Sequence, residues 1–89
     1  MKSISISIKG KVQAVFFRKY TKDKADELLL TGFVKNLSDG SVYVEATGSD
    51  DALNKFVTWC HHGPLLANVQ SVETNQIPLR DFDGFKITV

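Results

Sequence analysis

From Ser3 to Lys9 the chain alternates strictly, with Ile4, Ile6 and Ile8 on one face and Ser3, Ser5 and Ser7 on the other. A period of two marks a half-buried strand, and Gly10 ends it. Lys11 to Phe17 shows no periodicity and reads as a short connection. From Arg18 to about Leu30 the interval lengthens: Tyr20 or Thr21, Lys24 or Ala25, and Leu28 or Leu29 recur every three or four residues. That spacing predicts an amphipathic helix with a charged outer face. Gly32, just past its end, is placed as the left-handed cap. Phe33 to Leu37 reads as a second strand. Ser38-Asp39-Gly40-Ser41 is a hairpin turn, and Val42, Val44 and Ala46 form the inner face of a third strand.

Gly48 breaks that strand. Ser49 is suited to cap a second helix, with Asp50 and Asp51 at the positive end of its dipole. Its apolar stripe is Ala52, Leu53, Phe56, Val57 and Cys60, and Gly63-Pro64 stops it. Val69 to Gln76 predicts a fourth strand, Pro78 to Gly84 a loop, and Phe85, Ile87 and Val89 a short terminal strand. The order is βαββαβ with one short extra C-terminal strand. It predicts an α+β, ferredoxin-like sandwich over residues 1–89 as one domain, an antiparallel sheet with both helices on one face.

Composition narrows the function classes. At 43% hydrophobic and 24% charged, with a net charge of +1, the 89 residues are too apolar for a disordered tail and too balanced for a basic nucleic-acid arm. The single cysteine, Cys60, rules out an internal disulfide and a four-cysteine zinc site. No apolar run approaches a membrane span of ~20 residues. Serines interrupt the apolar positions of MKSISISIKG, so no secretory core is expected there and the expected compartment is the cytoplasm. Charge is unevenly placed. Residues 1–25 hold seven basic side chains against Asp23 alone, and the remaining 64 residues hold four against nine acids. A basic end suits an anionic partner, but equally a solvated surface.

The stretch GKVQAVFFR, Gly10 to Arg18, lies between the first strand and the start of the first helix. A helix N-terminus presents unpaired N–H groups and the positive end of a dipole. Arg18 adds a planar fork of donors that fits phosphate or carboxylate. Together these make a phosphate cradle. The plainer reading is an ordinary connection with a surface arginine.

This stretch resembles the acylphosphatase signature, close to G-x-V-Q-G-V-x-F-R. A second signature, close to G-[WF]-V-[RK]-N followed by D-G, is matched by Gly32-Phe33-Val34-Lys35-Asn36 and Asp39-Gly40. A G-P-x-x-A-x-V stretch is matched by Gly63-Pro64-Leu65-Leu66-Ala67-Asn68-Val69, and Phe85 and Ile87 match the common chain ending. The resemblance implies hydrolysis of an acyl phosphate to a carboxylate and inorganic phosphate. It implies that Arg18 and the backbone amides of Val12, Gln13, Ala14, Val15, Phe16 and Phe17 hold the phosphate. It implies that Asn36 orients the attacking water, with no metal, no other cofactor and no phosphoenzyme. The expected partner is a small-molecule acyl phosphate, with no nucleic acid and no membrane, and the expected state is a monomer.

Three positions depart from the family pattern. Ala14 stands where glycine is usual and would be strained if that position needs positive φ. Leu29 replaces a common glycine and should favour the helix locally. Lys35 stands where arginine is frequent. Elsewhere, His61 and His62 are adjacent, so they diverge by about 100° on a helix and are read as dipole-favourable decoration. Cys60 is read as core. Phe16 and Phe17 are read as one core anchor and one surface or pocket-wall aromatic, and nothing supports acid catalysis by Asp81 and Asp83. An RNA-binding module shares the element order, but strand three offers only Tyr43 as an outward aromatic. A catalytically idle phosphate-binding domain is the other alternative. No hydrophobic specificity pocket is evident, so polar substrates such as carbamoyl phosphate or 1,3-bisphosphoglycerate stand beside simple acyl groups.

Overall fold

A computed structural model describes all residues, 1–89. In chain order they form β1 (Lys2–Lys11), α1 (Phe17–Glu27), β2 (Thr31–Asn36), β3 (Val42–Gly48), α2 (Asp50–His62), β4 (Asn68–Ile77) and β5 (Phe85–Ile87). All five strands join one sheet in the order β4-β1-β3-β2-β5. The predicted strand faces hold. Ile4, Ile6 and Ile8 pair with Ala46, Val44 and Val42, and Val34 with Val44. Helix α1 covers this apolar face with Phe17, Thr21 and Ala25, and α2 with Leu53, Phe56 and Cys60. The result is a core of 15 buried residues. Each fully buried Ile, Leu or Phe contributes roughly 1.5–3 kcal/mol, so this face alone commits both helices to one side of the sheet. Ser49 caps α2 as expected, accepting from the Ala52 N–H, and Gly63 closes it with its N–H on the Trp59 carbonyl.

The predicted antiparallel sheet holds for β4, β1, β3 and β2, but β5 runs parallel to β2, so the sheet is mixed. The reason lies in the crossing segment. Beyond Ile77 the chain passes along the end of the sheet where Ser3 and Thr47 lie. There the Arg80 N–H donates to Ser3 Oγ and the Arg80 carbonyl accepts from Thr47 Oγ1. It then meets the start of β2, where Gly32 donates to the Gly84 carbonyl. β5 thus begins at the end where β2 begins. On the outer face, Phe33 packs against both Tyr43 and Phe82, with the Arg80 guanidinium over Phe82. Tyr43 is the only outward aromatic of β3, as read from the sequence, and Phe33 of β2 lies against it.

Two further corrections concern α1. It ends at Glu27 rather than near Leu30, and Leu29, not Gly32, takes the left-handed conformation at φ 59°. The N–H of Leu30 bonds the Ala25 carbonyl and that of Leu29 the Asp26 carbonyl, the pairing of a Schellman cap. Leu30 is buried beneath it, whereas Leu29 is 87% exposed. Leu29 therefore carries backbone strain rather than promoting helix. Gly32 serves another need. It sits in β2 at φ 146°, and a Cβ there would strike the Glu45 carbonyl of β3. Leu29→Gly should accordingly raise stability by about 0.5–1 kcal/mol, since it relieves strain and removes no packing. A chemical-denaturation midpoint that fell would contradict this.

The basic N-terminal bias also changes in three dimensions. Lys19, Lys22 and Lys24 pair along α1 with Asp23, Asp26 and Glu27, and Lys2 pairs with Asp50. Lys9, Lys11 and Arg18 have no acidic partner within salt-bridge distance, and all three lie near the end of β1 or the start of α1. No helix is long and apolar enough to cross a membrane.

Candidate active site

The ends of β1 and β2 and the starts of β3 and β4 share one edge of the sheet. At the end of β1 the register to β4 shifts between Lys9 and Gly10. Gly10 has φ 132°, and a Cβ there would strike the Asn68 carbonyl, so only glycine lets β4 approach this closely. Past this bulge, residues 12–16 form the connection into α1.

The connection leaves its donors free. No backbone N–H from Gln13 to Lys19 donates to a protein acceptor, and the first bond of α1 runs from Tyr20 N–H to the Phe16 carbonyl at 3.1 Å. The helix start has no side-chain cap and no acid in its first turn. Its dipole and seven successive N–H groups are uncompensated, which is the condition for binding an anion. The condition for strain at Ala14 is not met, because Ala14 does not have positive φ. Phe16 does, at φ 57°. A bulky side chain in this conformation costs about 1–3 kcal/mol.

Side chains divide by role. Val12 and Phe17 are buried in the core, so each offers the site only its backbone. Gln13, Ala14, Phe16, Phe17, Arg18 and Lys19 line a cleft of about 340 Å³ closed by Ile87 of β5. Arg18 is partly buried, and its guanidinium makes only a long 3.4 Å bond to the Thr88 carbonyl. Its remaining donors face no acid. Val15 points to a separate groove, described below. Asn36, the last residue of β2, does not line the cleft. Its Oδ1 is buried and accepts from no protein donor.

Gln13 was expected to contribute a backbone amide, and its side chain has a further function. Its Nε2 donates to the Leu37 carbonyl at 2.7 Å and the Ser41 carbonyl at 2.8 Å. This ties the connection to the β2–β3 hairpin one residue beyond Asn36. The hairpin is itself braced. Leu37 donates to Ser41 and Gly40 to Leu37, and the Asp39 carboxylate accepts from the Ser41 N–H and hydroxyl. The Ser41 hydroxyl holds the Asp39 carboxyl below its usual range. Nothing in the linear spacing of Gln13 and Ser41 signals this bridge, which spans 28 residues. Gln13→Ala removes two hydrogen bonds at ~0.5–1.5 kcal/mol each, although both carbonyls keep a backbone donor within the hairpin, and this should read as a drop in Tm of several degrees. An unchanged Tm would mean the two bonds stabilise nothing.

The remaining candidates fall outside this site. Cys60 is fully buried on α2, and burial pushes its thiol up to about 12, far from a reactive thiolate. His61 and His62 are exposed in the last turn of α2. Asp81 and Asp83 lie beside Phe33 at the start of β2, at the other end of that strand from Asn36.

The family model for acylphosphatase matches residues 4–87. The chain belongs to the acylphosphatase family. An acylphosphatase from Coxiella burnetii is 42% identical over 84 residues, covering 94% of this chain and 88% of that protein. A solved structure of an acylphosphatase from Coxiella burnetii superposes with a TM-score of 0.95 at 40% identity, covering 98% of this chain and 92% of its own. That of the Bacillus subtilis acylphosphatase gives 0.97 at 32% identity with both chains fully covered. The mixed sheet and the helix pair thus form an acylphosphatase fold, and the chain is an enzyme of this family.

Proposed function

We propose that the chain hydrolyses acyl phosphates by direct attack of water on phosphorus, with the phosphate held at residues 12–18. The observation that carries this reading is the run of unpaired N–H groups from Gln13 to Lys19 at an uncapped helix start, on a cleft that Arg18 also lines. Three non-bridging phosphate oxygens need many donors in a small space. Successive amides supply them without side-chain reorganisation, and Arg18 adds a full positive charge with a bidentate fork.

Phosphoryl transfer asks mainly for positioning and charge stabilisation. A water attacks phosphorus, the bond from phosphorus to the acyl oxygen breaks, and its electron pair leaves on the carboxylate. The water's surplus proton passes to solvent or to a phosphate oxygen. A carboxylate is a good leaving group, so no general acid is required. The unpartnered Asn36 Oδ1 supports a role in holding the water, since an amide oxygen accepts from water while the amide nitrogen can donate to a phosphate oxygen. Nothing in this scheme needs a metal or a covalent phosphoenzyme.

Purified protein should turn over benzoyl phosphate equally well with and without EDTA. Acid quenching during turnover of ³²P-labelled acetyl phosphate should leave no label on the protein. Loss of activity in EDTA, or label retained on the chain, would overturn the respective part of the scheme.

A further inference from the structure

A second groove opens on the other side of Phe16. Val15, Phe16, Tyr20, Trp59, Leu65 and Leu66 are among its walls, it measures about 360 Å³, and no charged side chain lines it. That is ample for a small acyl chain or ring. Phe16 also lines the phosphate cleft, so the two spaces share one wall. Phe16 is 76% exposed, Leu65 97% and Leu66 74%. Exposed apolar side chains gathered beside a polar site mark a place where apolar matter is covered on binding. The rim is shaped locally. The Ala67 N–H bonds the Pro64 carbonyl, a turn that leaves Leu65 and Leu66 standing out. The floor includes Trp59, held between Phe17 and Phe56.

Position relative to Asn36 decides what the groove receives. In-line displacement puts the attacking water and the leaving group on opposite sides of phosphorus. In the sheet order, β2 with Asn36 lies on one side of β1, and β4 lies on the other. Residues 64–66 lead into β4. The connection 12–16 therefore stands between Asn36 and the apolar groove. With water on the Asn36 side, the acyl leaving group points over Phe16 toward Leu65, Leu66 and Trp59.

We infer that this groove is the acyl subsite, and that the enzyme's preferred substrates are acyl phosphates with apolar alkyl or aryl groups. The inference rests on phosphate binding at residues 12–18. It also replaces the expectation that no hydrophobic specificity pocket exists. Residues 15–20, 59 and 64–66 are scattered in the chain and meet only in the fold.

The test compares acetyl with hexanoyl phosphate. Each methylene that leaves water is worth about twofold to fourfold in binding, so kcat/KM for hexanoyl should exceed that for acetyl phosphate by about tenfold or more, mainly through KM. In the double variant Leu65→Ser/Leu66→Ser, whose exposed positions contribute little to the core, the ratio should fall toward one. Leu79→Ser, an exposed leucine outside the groove, should keep it. Trp59 is the sole tryptophan and reports occupancy directly. Hexanoate titrated in the presence of phosphate should shift its emission saturably in the parent chain and not in the double variant. Equal kcat/KM for the two substrates, or a ratio unmoved by the double substitution, overturns the subsite and leaves the reaction standing. Turnover of neither substrate overturns the reaction itself, and the subsite with it.

Discussion

Arg18→Ala should lower kcat/KM for benzoyl phosphate by a factor of roughly 30 to 1,000, corresponding to ~2–4 kcal/mol of lost transition-state stabilisation. Both KM and kcat should move. The guanidinium meets phosphate oxygens in the ground state, and charge reorganises on them during transfer. Stability should hardly change, because the side chain's only protein bond is the long one to the Thr88 carbonyl. Arg18→Lys should recover part of the loss. It restores the charge but not the planar fork. A purified Arg18→Ala protein with unaltered steady-state kinetics would remove Arg18 from the site.

Asn36→Ala should behave differently. Here kcat should fall by about 100-fold with KM little changed, since misplacing one reacting group costs on this order. Stability should be unchanged or slightly higher. The substitution removes an acceptor that has no protein donor, so no protein hydrogen bond is lost. A variant that is slower yet no less stable separates a role in chemistry from a role in folding. If instead kcat held and Tm fell, Asn36 would be a structural residue of the β2 end.

These two residues show how unevenly the site could be read from the chain. Arg18 was legible because it follows a strand, a glycine and an aperiodic stretch into a helix, and each step has a local signal. Asn36 had none of its own and became a candidate only through the Gly32–Asn36 signature. Its buried, unpartnered oxygen is a tertiary fact. Gln13 was placed in the right segment with an incomplete role. The bonds from its side chain depend on the hairpin apex lying against the connection, which no spacing encodes. The glycine readings erred in a related way. Ala14 was to be strained only if its position needed positive φ, and a cap was placed at Gly32, but the left-handed residues are Phe16 and Leu29. Local propensity identifies where a chain must turn within a few residues. Which residue absorbs the awkward backbone is decided by the groups that must be buried next to it, such as Phe17 after Phe16 and Leu30 after Leu29.

The alternation of Ile4, Ile6 and Ile8, the three- and four-residue recurrence of Tyr20 or Thr21 and Lys24 or Ala25, and the Asp39-Gly40 turn were sufficient to place these elements, but the α1 face was settled as Phe17, Thr21 and Ala25 only in the fold. In the strand, side-chain direction follows from backbone period alone, so no tertiary knowledge was required. An anion cradle at the start of α1 was legible only as a candidate beside an ordinary connection, since a helix start exposes its N–H groups unless a side chain caps them, as Ser49 does for α2. Tertiary structure decided the rest. It set the parallel β5, through a segment pinned across the end of the sheet at Ser3 and Thr47. It set the Lys2–Asp50 pair between β1 and α2, whereas the α1 lysines meet acids one turn away through helical spacing. And it assembled the apolar groove beside Phe16 from three separated segments. The parallel β5, the Lys2–Asp50 pair and the groove depend on which distant parts of the chain become neighbours, and that is what a periodicity cannot carry.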